Sequence, residues 1–279
     1  MNYTSIKKYC TILLLLISSS ITKAGIQITP SYLFLDGSRR SIPVNVSNTG
    51  NDEREVWVEI KFGYEMTDDS GKFYIHLDSL DANEPSAAHW LQCFPKRFLL
   101  GPGESQTIRI LAVPPAGIAE GEYWARIQVV SKPREKAHVS SQAAQNVKPG
   151  ITILYQQSLP FHYRVGNPAT GLEVDTLITA ASDTNVTVSM LLTRKGNASY
   201  WGSRTIKVLD KNGKVVLNQT KNTGIYKTIR LTDSFSKLNL QPGNYIVEVE
   251  FSTDKRRDVP KASLIHALPV RVTSSFIIP

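Results

Sequence analysis

From Ile26 onward the chain is patterned for strands: short runs in which apolar and polar side chains alternate, separated by turn residues, with no stretch that repeats every three to four positions. Runs at 26–28, 33–35 and 42–46 are the first candidates, with Asp36 and Gly37 as the turn between the second and third. Val56, Val58 and Ile60 alternate with Trp57, Glu59 and Lys61, which predicts a strand buried on one face and partly wet on the other. Residues 68–88 read as polar and irregular. After them, Phe98, Leu99 and Leu100 lead through the turn residues Gly101, Pro102 and Gly103 into strands at 107–113 and 122–130. A Ser-, Gln-, Ala- and Lys-rich loop follows at 131–150.

The stretch 151–164 is the most informative. Its apolar and polar residues alternate, and it carries Pro160, which has no N–H to give a ladder and belongs at an edge or bulge. An open edge invites another chain to pair with it. The segment 165–171 has the Gly and Pro content of a hinge. Beyond it, runs at 172–178, 186–192, 203–209, 215–217, 226–231, 244–251 and 268–272 give about seven further strands, with a type I′ hairpin expected over 211–214. The pattern is all-β, in two sandwiches.

The N-terminus departs from this pattern. Lys7 and Lys8 precede an apolar run at 12–17, and Ala24 is a small residue suited to cleavage, so residues 1–24 read as a secretory signal peptide. The run is shorter than the ~20 apolar residues of a spanning helix, so no membrane span is expected in the mature chain. What remains is 255 residues, comfortable for two domains, which are placed at 25–166 and 167–279. Cys10 leaves with the signal and Cys93 stands alone, so no internal disulfide is expected; the plainer reading of Cys93 is a buried apolar thiol. The formal charge of +8 falls to +5 without Lys7, Lys8 and Lys23, a mild excess that does not point to nucleic acid.

Little suggests catalysis. The five histidines, His76, His89, His138, His162 and His266, are scattered without metal-ligand spacing, and no nucleophile elbow or nucleotide loop appears. No cofactor, no metal site and no enzymatic activity is expected.

One combination, taken in order, is specific: Ile28, Thr29 and Pro30 leading to Leu35, Asp36 and Gly37; Val44-Asn-Val-Ser-Asn48; Leu100 to Ser105 followed by Ile108-Arg-Ile110; Gly121-Glu-Tyr-Trp124; and a strand ending in Tyr163 and Arg164. It resembles the PapD-like periplasmic chaperones of fimbrial (pilus) assembly, over roughly residues 26–164. The resemblance implies two immunoglobulin-like β-sandwiches in an L-shaped arrangement and a periplasmic location. It implies as partners pilin subunits and an outer-membrane usher. It also implies donor-strand complementation, in which the last strand of the first domain completes an unfinished subunit. By that alignment the inserted side chains are Ile151, Ile153 and Tyr155, although period two alone equally allows them to pack in this domain's own core. The family's carboxylate-gripping arginine and lysine fall on Tyr32 and Pro160, which leaves Arg97, Arg39, Arg40 and Arg164 as candidate anchors. The resemblance also implies a competing part for Arg164 in an interdomain ion pair with Glu120, with Glu122 nearby. The rival readings are a structural or adhesive surface protein built from the same sandwiches, and a hydrolytic or carbohydrate-active sandwich with a carboxylate- or aromatic-lined cleft.

Overall fold

The computed structural model describes residues 25–77, 84–134, 153–238, 240–254 and 256–279; the expected signal peptide and Ile151 lie outside them. The described chain is β throughout, apart from two single-turn 3-10 helices at Ala88–Trp90 and Lys261–Ser263. Among the described residues no helix is long and apolar enough to cross a membrane.

The first sandwich has one sheet of β1 (Ile26–Thr29), β3 (Ser41–Asn48), β9 (Ser105–Ala112) and β7 (Leu91–Phe94), in the order β1-β3-β9-β7. Facing it are β2 (Leu33–Asp36), β11 (Tyr155–Val165), β10 (Gly121–Pro133), β4 (Arg54–Lys61) and β8 (Arg97–Leu100), in the order β2-β11-β10-β4-β8. Alternation explains the packing. Val44 and Val46 of β3, Val56 and Val58 of β4, and Ile108 and Ile110 of β9 are fully buried, while their sequence neighbours point outward. They close on Ile127 and Val129 of β10 and Leu159, Phe161 and Tyr163 of β11. Each such side chain contributes roughly 1.5–3 kcal/mol of burial, before the entropy of ordering is subtracted.

Two expectations are corrected here. Part of the stretch taken as irregular is ordered: β6 (Phe73–Leu77) lies within it and pairs with β5 (Gly63–Thr67), just before it, as a two-stranded ribbon. Phe73, Tyr74 and Ile75 are strong strand formers, and the Asp68 carboxylate closes the turn by accepting from the Ser70 and Lys72 amides. The other correction concerns residues 211–214. Only Gly213 has a positive φ there, so the turn is not type I′; Asp210 instead accepts from the Asn212 and Lys214 amides across a longer loop.

The second sandwich packs the sheet β12 (Thr170–Ala181), β13 (Asn185–Gly196), β16 (Thr228–Ser236) against β15 (Val215–Ile225), β14 (Tyr200–Leu209), β17 (Gly243–Ser252), β18 (Val270–Ile278). Its seven strands are those expected, mostly longer. Its core is separate from that of the first sandwich and is built on Val186, Val188, Leu192, Val208, Val247, Val249 and Phe251.

Candidate functional site: an open strand edge beside an interdomain cleft

β11 pairs antiparallel with β10 along its whole length, Tyr155 opposite Ser131 through Val165 opposite Gly121. On its other side β2 runs parallel but covers only Phe161 to Arg164. The reason lies upstream. β1 belongs to the opposite sheet, and the chain crosses between sheets at the cis Thr29–Pro30 peptide, so it joins β11 only from Leu33. Among the described residues, 155–160 therefore have a strand partner on one side alone. Pro160 sits one residue before β2 pairing begins, where the missing N–H costs no ladder bond to β2.

Burial sets in at Leu159, two residues before β2 pairing begins. Phe161 is 0% and Leu159 4% exposed, whereas Tyr155, on the same strand face, is 43% exposed, and Ile153, two residues ahead of β11, is 55% exposed. Between them stands Gln157, whose Nε2 donates 2.9 Å to the carbonyl of Ile26 on β1 and caps the core with a polar bridge. Ile153 and Tyr155 belong to no core of their own domain.

The residues just ahead of β2, Pro30, Ser31 and Tyr32, line a cavity of about 510 Å³ between the sandwiches, closed on the far side by Asp258, Pro260, Ala262 and Ser263. Arg39 is the one cationic side chain among its described lining residues. The other anchor candidates sit elsewhere. Arg97 is on β8, separated from β11 by β10 and β4, and pairs with Glu55 at 3.2 Å; Arg40 is exposed and does not line the cavity. Arg164 is committed: its Nε donates to Glu122 at 2.8 Å and its Nη1 to the Ser263 carbonyl at 2.7 Å.

Arg164 thus pairs with Glu122, not with Glu120. Register explains this difference, because Glu122 is the cross-strand partner of Arg164, whereas Glu120 precedes β10 and accepts from the Asn167 amide. Glu122 is the centre of a buried hub. Its Oε1 accepts from Trp124 Nε1 at 2.9 Å, the Ser199 amide at 3.1 Å, the Ser199 hydroxyl and His162 Nδ1 at 3.1 Å. Ser199 Oγ in turn accepts from Trp201 Nε1, and His162 Nε2 lies 3.2 Å from the Tyr226 hydroxyl. The neutral imidazole with its proton on Nδ1 satisfies both contacts. Burial alone would raise the Glu122 carboxyl, but His162, Arg164 and Ser199 more than offset it and hold it far below the usual carboxylate range. Burial lowers His162; Glu122 opposes that shift, and Arg164 and Arg126 reinforce it.

Around the hub runs an aromatic seam of Phe34, Phe62, Tyr64 and Trp124 from the first sandwich with Trp201, Tyr226 and Val259 from the second. His162 stacks on Phe34 at 4.7 Å and on Tyr226 at 5.5 Å. Sequence reasoning singled out none of Ser199, Trp201 and Tyr226. Only the pairing of Glu122 with Arg164, the residue just before the expected hinge, could have signalled the seam. Burial pushes the Cys93 thiol up to about 11, so it stays protonated. No group of three metal-ligating side chains converges among the described residues.

No family model and no curated protein matches this chain. Among solved structures it is similar to a chaperone–tip adhesin complex of CFA/I fimbriae, at 15% identity and a TM-score of 0.43, over 90% of this chain and 98% of that one. It is also similar to the CsuC–CsuE chaperone–tip adhesion subunit pre-assembly complex of Acinetobacter baumannii Csu pili, at 12% and 0.46, over 89% and 98%. A third is the YadV chaperone, at 12% and 0.45, over 91% and 100%. Likeness at this level decides nothing about function, which has to be read from the chain's own geometry.

Proposed function

We propose that this chain is a periplasmic chaperone of fimbrial assembly. In this reading it lends the free half of β11 to a pilin subunit that lacks a strand, stabilises it, and hands it to an outer-membrane usher. It works without a cofactor and without catalysing a reaction. Residues 1–24 act as the export signal, 25–166 as the subunit-binding domain and 167–279 as the second domain. The observation that carries the reading is the one-sided pairing of residues 155–160, with Ile153 and Tyr155 exposed beyond the core.

An incomplete sandwich exposes an apolar groove flanked by unpaired backbone. An added strand satisfies that backbone while every second side chain fills the groove. Ile153 and Tyr155 are the described side chains suited to this, and Ile151 extends the same alternation. The added backbone would run toward the cleft lined by Pro30, Ser31 and Tyr32, so a chain end arriving there meets Arg39. Arg39 is therefore the preferred anchor for a terminal carboxylate.

Purification of the exported chain followed by mass spectrometry of what accompanies it tests the reading. A fimbrial subunit is expected with the unaltered chain and is expected to be lost with Ile153→Asp, whose circular dichroism and melting temperature stay unchanged. Undiminished capture by Ile153→Asp removes the donor assignment. Incorporation of the chain itself into surface fibres favours the structural or adhesive reading.

A further inference from the structure

We propose that Arg54 is a positioning residue for the donor edge: from beneath Tyr155 it orients the ring presented to a partner, and so selects an acceptor groove with a flat, ring-sized subsite at that position. This rests on the donor-strand reading above.

Arg54 opens β4 and is only 6% exposed. A buried guanidinium needs compensation, usually from a carboxylate. Among the described residues none pairs with it. Its Nε donates to Ser131 Oγ at 3.2 Å, with Nη2 a longer 3.4 Å from the Ser131 carbonyl, and the guanidinium carbon lies 4.8 Å from the centroid of the Tyr155 ring. Ser131 is also the cross-strand partner of Tyr155. One arginine therefore ties together three adjacent strands, β4, β10 and β11, at the point where the edge leaves its own core.

The ring has one face on the cation and remains 43% exposed. A planar guanidinium suits such stacking better than an ammonium, and the contact fixes the ring's orientation before any partner arrives. Gln157, the next residue on that face, is bonded to Ile26 and is not available for donation. Tyr155 is therefore the innermost donated side chain, and its orientation sets the inner end of the partner's register.

The test uses the subunit that co-purifies with the unaltered chain and measures its dissociation constant for the unaltered chain, Arg54→Met, Arg54→Lys, Tyr155→Leu and the Arg54→Met/Tyr155→Leu double variant. Arg54→Met is expected to weaken binding roughly tenfold, and Arg54→Lys by less. In the Tyr155→Leu background, Arg54→Met should add nothing. In the free chain, the Tyr155 ring-proton resonances should move in Arg54→Met and return part of the way in Arg54→Lys. If Arg54→Met does not fold, the same cycle is run with Arg54→Lys. Full affinity in the Arg54 variants, or equal weakening with and without Tyr155, overturns the proposal. Absence of any captured subunit with the unaltered chain defeats donation itself, and the positioning role with it.

Discussion

The two halves of β11 share a strand, a face and a neighbour in β10, yet behave oppositely. Leu159, Phe161 and Tyr163 are core residues, with β2 flanking the strand from Phe161 onward, while Tyr155, and Ile153 just ahead of the strand, are exposed along an edge that no other described strand of the first sandwich pairs with. The difference comes from another strand. Because the chain enters β2 only after changing sheets, it seals one half and leaves the other open. Availability for a partner is thus a property of where the neighbour arrives, not of the donor's own alternation.

The largest expected effect is on the sealed half. Phe161→Ala should destabilise the protein by about 3–5 kcal/mol in urea unfolding, since it leaves a cavity among fully packed residues. By contrast, Ile153→Ala should stay within ~0.5 kcal/mol. Similar losses at both positions would erase the distinction between the halves.

A smaller effect is expected from pH at the inner end of the same strand, where His162 and Arg164 enter the seam. His162 sits below its ordinary value near 6.5, and Glu122 below 4.5, so the unfolded chain takes up both protons more readily than the folded one. The stability His162 contributes is present above about pH 6.5 and declines as pH falls through its lower folded value. That of Glu122 is present above about pH 4.5 and is lost further into the acid range. Of the charged groups around the imidazole, Arg164 and Arg126 add to burial in favouring its neutral form in the folded state, and Glu122 opposes them without reversing the shift. The urea midpoint should therefore fall between pH 7.5 and pH 5, and a midpoint that rises over this range would contradict the assignment of a neutral His162.

Much of this was legible in the sequence. Alternation in β3, β4 and β9 and the seven-strand run of the second half gave the all-β, two-sandwich plan, because period two is imposed locally by the pleat. Pro160 marked an edge, correctly for the residues before it. The sequence did not reveal that the edge closes at Phe161, since that depends on a sheet change more than a hundred residues away. The seam was hidden for the same reason: Glu122 meets Ser199, and through it Trp201, only once the sandwiches are docked. The ribbon of β5 and β6 was overlooked because polar turn residues on either side masked the short run from Phe73 to Leu77.

Amide hydrogen exchange along β11, measured on the free chain and on its complex with the captured subunit, tests the open edge most directly. The amides of 155–158 that face away from β10 should exchange quickly in the free chain and become protected in the complex, while those facing β2 at 161–164 stay protected in both. Protection of 155–158 in the free monomer, or continued fast exchange there once a subunit is bound, would contradict strand donation by this edge.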